Sequence, residues 1–454
     1  MDKPVFKQTP RTKHPDPALR GDKITGDRYY SKEFMKKEWD HVWTNVWQIA
    51  GVASEIPEPD DFFVYKIGTE EILVVRQKDL SIKAFYNVCP HRGNLLVHVD
   101  KGCLETFKCT YHGWVYNTEG VLIDLQDPED FDNGNPCGKV TLKEINCDVA
   151  LGFVWINLKD DCQDFKEALY PIIDHMMPYQ PEKYIRVLNI TCEVNCNWKI
   201  IHDNFNESYH VPTLHPDLST HIESDYKLCQ FDMYENGHNR MLMPGHRPAL
   251  GNQVLDFPLD AALEAWDLNP EDFKGNAQET RLAIQKKKRE LSGDRGFWHY
   301  EFLTDEQLTD YYFYNCFPNY SITMTPDGIQ VLRPQPHPTD PEKCLFEHWW
   351  MVPEMESLSA SATFMASDTS KGPAGEKMTE TPVGPRPLRP AEHESIIYPE
   401  GSMGFTADQD ISMALGQQKG LKSKGYGDDA MLTNQERRVR RYHEVLNDYI
   451  EGRR

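Results

Sequence analysis

The feature that most constrains this chain is a pair of short motifs, a Cys-x-His at residues 89–91 and a Cys-x-x-His at residues 109–112. In a Rieske [2Fe–2S] centre, one iron takes two cysteine thiolates and the other takes two imidazoles. Structural zinc also takes two cysteines and two histidines, but usually as a pair of Cys followed by a pair of His. Here each motif carries one of each. This order favours a Rieske cluster bound by Cys89, His91, Cys109 and His112, with zinc as the alternative.

The composition limits the partners and the compartment. The chain has 454 residues and a net charge of −22, which argues against nucleic acid or an anionic membrane as a partner. Of the eleven cysteines, the nine outside the motif show no ligand pattern and are typical of reduced thiols. No apolar run is long enough for a signal peptide or a membrane span, so we expect a cytoplasmic protein.

The pattern along the chain predicts an α+β protein with three parts. They are an N-terminal arm and helix at 1–39, a Rieske domain at 40–160, and a larger domain at 161–454. Short alternating runs between residues 62 and 158 predict antiparallel strands around the two motifs. In the larger domain, 250–295 has the pattern of a helical insertion and 358–390 that of a long surface loop. No GxGxxG follows a strand, so no nicotinamide or flavin domain is evident.

Side chains that cap helices predict four helix starts. Ser31 begins a helix to about Val46, and Asn197 begins one that carries Tyr209 on its apolar side. Another helix begins near Gln409. The last follows Thr433 and Glu436, which form a capping box, and runs to about Tyr449.

A second group of candidate ligands lies in the larger domain. His210 and His215, together with a distant carboxylate, could form the two-histidine, one-carboxylate site of non-haem Fe(II). Among seventeen histidines such a pair alone is weak evidence. Beside a Rieske motif it gains weight, because a one-electron carrier needs an acceptor. We take Asp410 as the third ligand, with Asp408, the expected helix N-cap, in reserve.

Glu207 has its own predicted role. It precedes His210 by three residues, which would place both on one helical face. Its carboxylate could accept hydrogen bonds from a cluster histidine and from an iron-ligand histidine, and so couple the two centres.

These motifs resemble those of the Rieske non-haem iron oxygenases, specifically the large (alpha) subunit of the ring-hydroxylating oxygenases. The resemblance covers nearly the whole chain. It implies an antiparallel β Rieske domain plus a helix-grip catalytic domain, an antiparallel sheet around a long helix. It also implies that Cys89, His91, Cys109 and His112 bind the cluster, that His210, His215 and Asp410 bind the iron, and that Glu207 bridges the two centres. Relatives form trimers, with or without a small beta subunit.

The implied activity is O₂-dependent. A separate reductase or ferredoxin, supplied by NADH or NADPH, would reduce the cluster and then the iron, and an aromatic or polycyclic substrate would be hydroxylated. Glu207, where many aromatic dioxygenases have Asp, looks like some members that act on quaternary amines. The alternatives are therefore N- or O-demethylation or quaternary-amine hydroxylation, and, from another class, a pure electron carrier. Phe205, Val211, Leu214 and Phe317 are candidate substrate-pocket residues.

Overall fold

The computed structural model describes residues 13–354, 390–427 and 429–454. The chain folds as two units, one of Trp39–Ala168 and the other of the chain before residue 39 together with Leu169–Arg454. The predicted loop at 358–390 lies outside the described residues apart from its last position. In the described part, no helix combines the length and the apolar character needed to cross a bilayer.

The unit of residues 39–168 is built from antiparallel strands. Its ten strands are β1 Gln48–Val52, β2 Asp61–Ile67, β3 Glu70–Arg76, β4 Ile82–Tyr86, β5 Lys101–Cys103, β6 Thr106–Lys108, β7 Val115–Asn117, β8 Leu122–Asp124, β9 Glu144–Ala150 and β10 Phe153–Asn157. Seven form a sheet in the order β1-β10-β9-β4-β3-β2-β5, and β6-β7-β8 form a smaller one. On β2, Tyr65 and Ile67 are buried while Lys66 between them is exposed, as alternation along a strand requires. The predicted cluster motifs lie after β4 and after β6.

The other unit contains one eight-stranded sheet in the order β12-β13-β14-β15-β16-β17-β11-β18. Its strands are β11 Tyr184–Val194, β12 Gln230–Met233, β13 Asn239–Met243, β14 Tyr311–Cys316, β15 Tyr320–Thr325, β16 Gly328–Pro336, β17 Cys344–Pro353 and β18 Glu394–Ile397. All neighbours are antiparallel except β11 and β18. Helix α4, Trp198–Phe205, packs across β15, β16 and β17 and against α8, Phe405–Gly420. This is the predicted helix-grip arrangement.

The other α-helices of the described residues have between 4 and 14 residues. They are α1 Lys32–Glu38, α2 Phe165–Ala168, α3 Ile172–Met176, α5 Val211–Leu214, α6 Leu259–Ala265, α7 Thr280–Leu291 and α9 Arg437–Ile450. Ser31 accepts a hydrogen bond from the amide of Phe34, and Thr433 and Glu436 form the predicted capping box. The first helix is shorter than predicted, because regular α-helix ends at Glu38 and a π-helical turn follows at Trp39–Trp43.

Two further helix predictions are wrong in detail. Asn197 does cap α4, but that helix ends at Phe205, so Tyr209 lies outside it. Helix α8 begins at Phe405 rather than near Gln409, and Gly404, with φ of 102°, is its N-cap in place of Asp408. This φ favours glycine, which has no Cβ to strain.

Candidate iron–sulfur and iron centres

The two predicted cluster loops have the same backbone hydrogen bonds. In the first, the amide of Gly93 donates to the carbonyl of Cys89, and in the second the amide of Gly113 donates to that of Cys109, at 2.9 and 3.0 Å. Both glycines have φ of +75°, a conformation that side chains disfavour. The sequence repeat therefore produces two equivalent turns.

The predicted cluster ligands divide into a buried and an outer pair. Cys89 and Cys109 are only 1% and 2% exposed, whereas His91 is exposed and His112 half-buried. The ring centroids of His91 and His112 are 4.6 Å apart. Two buried sulfurs behind two outer imidazoles suit a cluster whose histidine-bound iron faces the surface.

The donor atoms also fit a cluster chemically. Burial raises the pKa of the Cys109 thiol, but hydrogen bonds from the backbone amides of Tyr111 and His112 and from the side chains of Cys89 and Asn94 lower it, and the net pKa is below its usual value. Nδ1 of His112 is buried and has no hydrogen-bond partner among the described residues. A thiolate-favouring cysteine and an unpartnered imidazole nitrogen are what metal ligation would use. Ligation by these four residues stays a prediction.

The predicted iron ligands lie together in the other unit. One ligand atom each of His210, His215 and Asp410 lies within 4.8 Å of the others, in a group that could hold a metal ion. Asp410 Oδ1 is 2.9 Å from Nε2 of His215 and 4.0 Å from Nε2 of His210. Asn204 donates a 2.8 Å hydrogen bond to the same carboxylate oxygen. Two imidazoles and one carboxylate on one side of a site fit non-haem Fe(II).

Each histidine is oriented through its other ring nitrogen. Nδ1 of His210 lies 2.5 Å from Oε1 of Glu207, and Nδ1 of His215 lies 2.6 Å from Oε1 of Gln409. Carboxylate and amide oxygens only accept, so each Nδ1 carries a proton, and Nε2 is the ring nitrogen that each histidine would offer to a metal. Sequence reasoning gave Glu207 this role but missed Gln409, whose only signal is its position next to Asp410.

The chain reaches this geometry by ending a helix early. Residues 206–210 are not helical, so the prediction that Glu207 and His210 share a helical face is wrong. The side chain of Asn315 on β14 donates to the carbonyl of Phe205, and that of Asn206 donates to the carbonyl of His202. These amides satisfy two of the carbonyls that the end of α4 leaves open. Glu207 then folds back on the amides of Tyr209 and His210.

Asp408, the reserve ligand, is engaged elsewhere. Its two carboxylate oxygens accept from Oγ of Ser402 at 2.6 Å and from the amide of Met403 at 2.8 Å. These contacts hold the segment that leads into α8. Asp410, half a turn further on, faces the histidines.

A cavity of about 140 Å³ opens on the three candidate iron ligands. Of the four predicted pocket residues, Phe205 and Val211 line this cavity. Leu214 borders a different, surface groove, and Phe317 stacks on Tyr449. The residues of the sheet that line the cavity were not predicted. They are Met241, Met243, Tyr311, Phe313, Ser321, Thr323, Gln330, Leu332 and His348. The signal was the i, i+2 spacing of these residues within strands, which becomes informative only once strand order is known.

Comparison with known families agrees with this geometry. The model of the ring hydroxylating alpha subunit (catalytic domain) family matches residues 181–452, and that of the Rieske [2Fe–2S] domain matches residues 46–134. The chain belongs to the ring hydroxylating alpha subunit family. A Rieske cluster and a mononuclear iron are therefore its implied cofactors, and the family resemblance drawn from the sequence is confirmed. A pure electron carrier is set aside, because such a protein has no catalytic domain.

Individual proteins that resemble this alpha subunit share only a modest sequence identity with it. It is 30% identical over 192 residues to the glycine betaine monooxygenase oxygenase subunit of Pseudomonas aeruginosa, a match that covers 42% of this chain and 44% of the relative. Among solved structures, it resembles a quaternary ammonium Rieske monooxygenase, with a TM-score of 0.66, 18% identity, and coverage of 96% of this chain and 99% of the other. It also resembles naphthalene 1,2-dioxygenase, with a TM-score of 0.62, 18% identity, and coverage of 95% and 93%. At such identities the structural likeness establishes the fold.

Proposed function

We propose that this alpha subunit is the oxygenase component of a multi-protein system that uses O₂ to hydroxylate a small, uncharged, largely apolar substrate, with a single aromatic ring as the first candidate. The observation that carries the proposal is a mainly apolar cavity that ends at two histidines and one carboxylate. A dry cavity of roughly 150 Å³ is enough for one benzene ring. The volume here therefore supports a one-ring rather than a polycyclic substrate.

The protein's own residues prepare the site for that reaction. Glu207 and Gln409 hold the two imidazoles so that both Nε2 atoms point at one position. Asp410 completes one side of this position, and the cavity lies on the other. An iron bound there, reduced through the Rieske cluster, would activate O₂ beside the substrate. The apolar lining keeps water away and positions the ring.

Oxidation of a quaternary amine is the second candidate. Its support is the likeness to the P. aeruginosa glycine betaine monooxygenase subunit and the presence of Glu207, together with aromatic rings such as Tyr311 and Phe313 that could face a cation. Formaldehyde release would indicate demethylation, and a hydroxylated ring would indicate the first candidate.

We further propose that the working form is a trimer, with or without a small beta subunit, located in the cytoplasm and served by a reductase or a ferredoxin. Glu207 borders the iron site and also a broad surface groove beside His210 and Tyr209. A cluster histidine of another subunit could reach the carboxylate from this groove. Inter-subunit electron transfer is described for the similar quaternary ammonium Rieske monooxygenase. Light scattering on the purified chain tests the trimer, and a stable, reducible monomer that turns over substrate would contradict it.

The central experiment is electron paramagnetic resonance on anaerobically purified, dithionite-reduced protein before and after nitric oxide. We expect a Rieske-type signal and, after nitric oxide, a high-spin iron–nitrosyl signal. The Asp410→Ala variant is the matched control, which should keep the first signal and lose most of the second. A Rieske signal without the nitrosyl signal, in iron-replete protein, would refute the oxygenase proposal.

A further inference from the structure

The floor of the cavity changes from apolar to polar across the sheet. Directly opposed residues on antiparallel strands face the same side, and one such row runs through Met241, Phe313, Thr323 and Gln330. All four line the cavity. The β13 and β14 end of this row offers only carbon and sulfur atoms, whereas the β15 and β16 end offers a hydroxyl and an amide. A purely hydrocarbon substrate would leave the polar end without partners.

The amide of Gln330 has a fixed orientation. Nδ1 of His348 lies 2.8 Å from the carbonyl oxygen of Met403, and Nε2 of His348 lies 2.9 Å from Nε2 of Gln330. A carbonyl only accepts, so in the neutral ring Nδ1 carries the proton and Nε2 must accept from the glutamine NH₂ group. This leaves Oε1 of Gln330 as an acceptor, and no described residue donates to it.

The charges of the residues that line the cavity further restrict which group of the substrate could bond to Gln330. No lysine or arginine lines the cavity within the described ranges, and its carboxylates, Glu207 and Asp410, belong to the iron end. A carboxylate or phosphate on the substrate would therefore lack a cationic partner. A neutral hydroxyl or N–H group would instead satisfy the free acceptor.

We propose that Gln330, positioned by His348, determines substrate specificity by accepting a hydrogen bond from a neutral hydroxyl or N–H group carried by the aromatic substrate. This inference rests on the proposed oxygenase function and narrows its substrate class. A neutral hydrogen bond in a buried site changes affinity by up to about tenfold. The donor-bearing ligand should gain that factor over an acceptor of the same shape.

Equilibrium dialysis of the anaerobic ferrous holoprotein tests this with two probes, benzyl alcohol, which donates, and benzaldehyde, which only accepts. The wild type should bind the alcohol about tenfold more tightly than the aldehyde. The Gln330→Met variant keeps the side-chain length but removes the acceptor, and should lose this preference. Gln335→Met, a buried glutamine on the same strand that does not line the cavity, is the matched control and should retain it.

The wild-type comparison decides the matter even if a variant fails to fold. Equal or weaker binding of the alcohol, or no binding of either probe, would overturn the inference, as would a preference that survives in Gln330→Met. The iron–nitrosyl signal is recorded on the same samples. If that signal is present and the preference absent, only the inference fails. If the signal is absent, the proposed function itself fails.

Discussion

Gln409 gives the sharpest test of how the iron site is held. It is 1% exposed, and its Oε1 lies 2.6 Å from Nδ1 of His215, which is itself 4% exposed. In Gln409→Leu, the N–H at Nδ1 of His215 loses its acceptor inside the protein. An unsatisfied buried donor costs about 1–3 kcal/mol. Loss of a partner that orients a metal ligand typically weakens metal binding by about 10- to 100-fold, or about 1.4–2.7 kcal/mol. We therefore expect Gln409→Leu to lower the iron affinity by about 10- to 100-fold.

The assay is iron retention during dialysis against a graded series of a ferrous chelator, with the iron–nitrosyl signal as a second readout. Gln418 is the matched control, because it lies on the same helix, is 3% exposed, and bonds to backbone atoms of Asn197 and Tyr29. Gln418→Leu should lower thermal stability and leave iron affinity unchanged. If Gln409→Leu retains iron like the wild type, or if both variants lose iron equally, the orienting role of Gln409 is refuted.

Asp410→Ala should lose most of the mononuclear iron and keep the cluster, as metal analysis would show. Asp408→Ala should keep the iron and lower stability by about 1–3 kcal/mol in thermal melting. Tyr116→Phe removes a hydroxyl that lies 3.4 Å from Sγ of the predicted cluster ligand Cys89. Loss of this hydrogen bond should lower the reduction potential of the cluster by about 50 mV without loss of iron. Redox titration measures the shift, and an unchanged potential would contradict the prediction. Lys199→Met should lower the free energy of unfolding by about 3–5 kcal/mol, because it leaves Glu38 buried without its partner. Burial raises the pKa of Glu38 and lowers that of Lys199, so each charge is costly to bury alone. Adding Glu38→Leu should therefore restore most of the lost stability, as measured by denaturant unfolding.

The parts of the site that could be predicted from sequence are those set by local chain geometry. The cluster motifs are short, and each turn closes on a glycine four residues after its cysteine. The helix start at Asn197 is likewise local, because its side chain caps an amide two residues away. The end of that helix is not local. It depends on Asn315, which lies 110 residues beyond Phe205 in sequence and is placed beside the helix by the pairing of β14 in the sheet. Propensity alone therefore extends α4 too far.

The residues that could bind iron and the residues that line the substrate cavity also differ in whether they are set locally or by distant parts of the chain. The candidate iron ligands and the side chains that orient them come from two short segments, residues 207–215 and the first turns of α8. The spacing of these residues within each segment is visible in the sequence. The row of Met241, Phe313, Thr323 and Gln330 depends instead on the register of four strands, and a shift by one residue would turn each side chain to the other face. Within the described residues, this row forms no hydrogen bond with Glu207, Gln409 or the two histidines that they orient. Substitutions along it should therefore change which ring is bound while iron affinity stays constant. A Thr323→Val variant that altered iron retention as much as ligand preference would show that the two sets of residues are not independent.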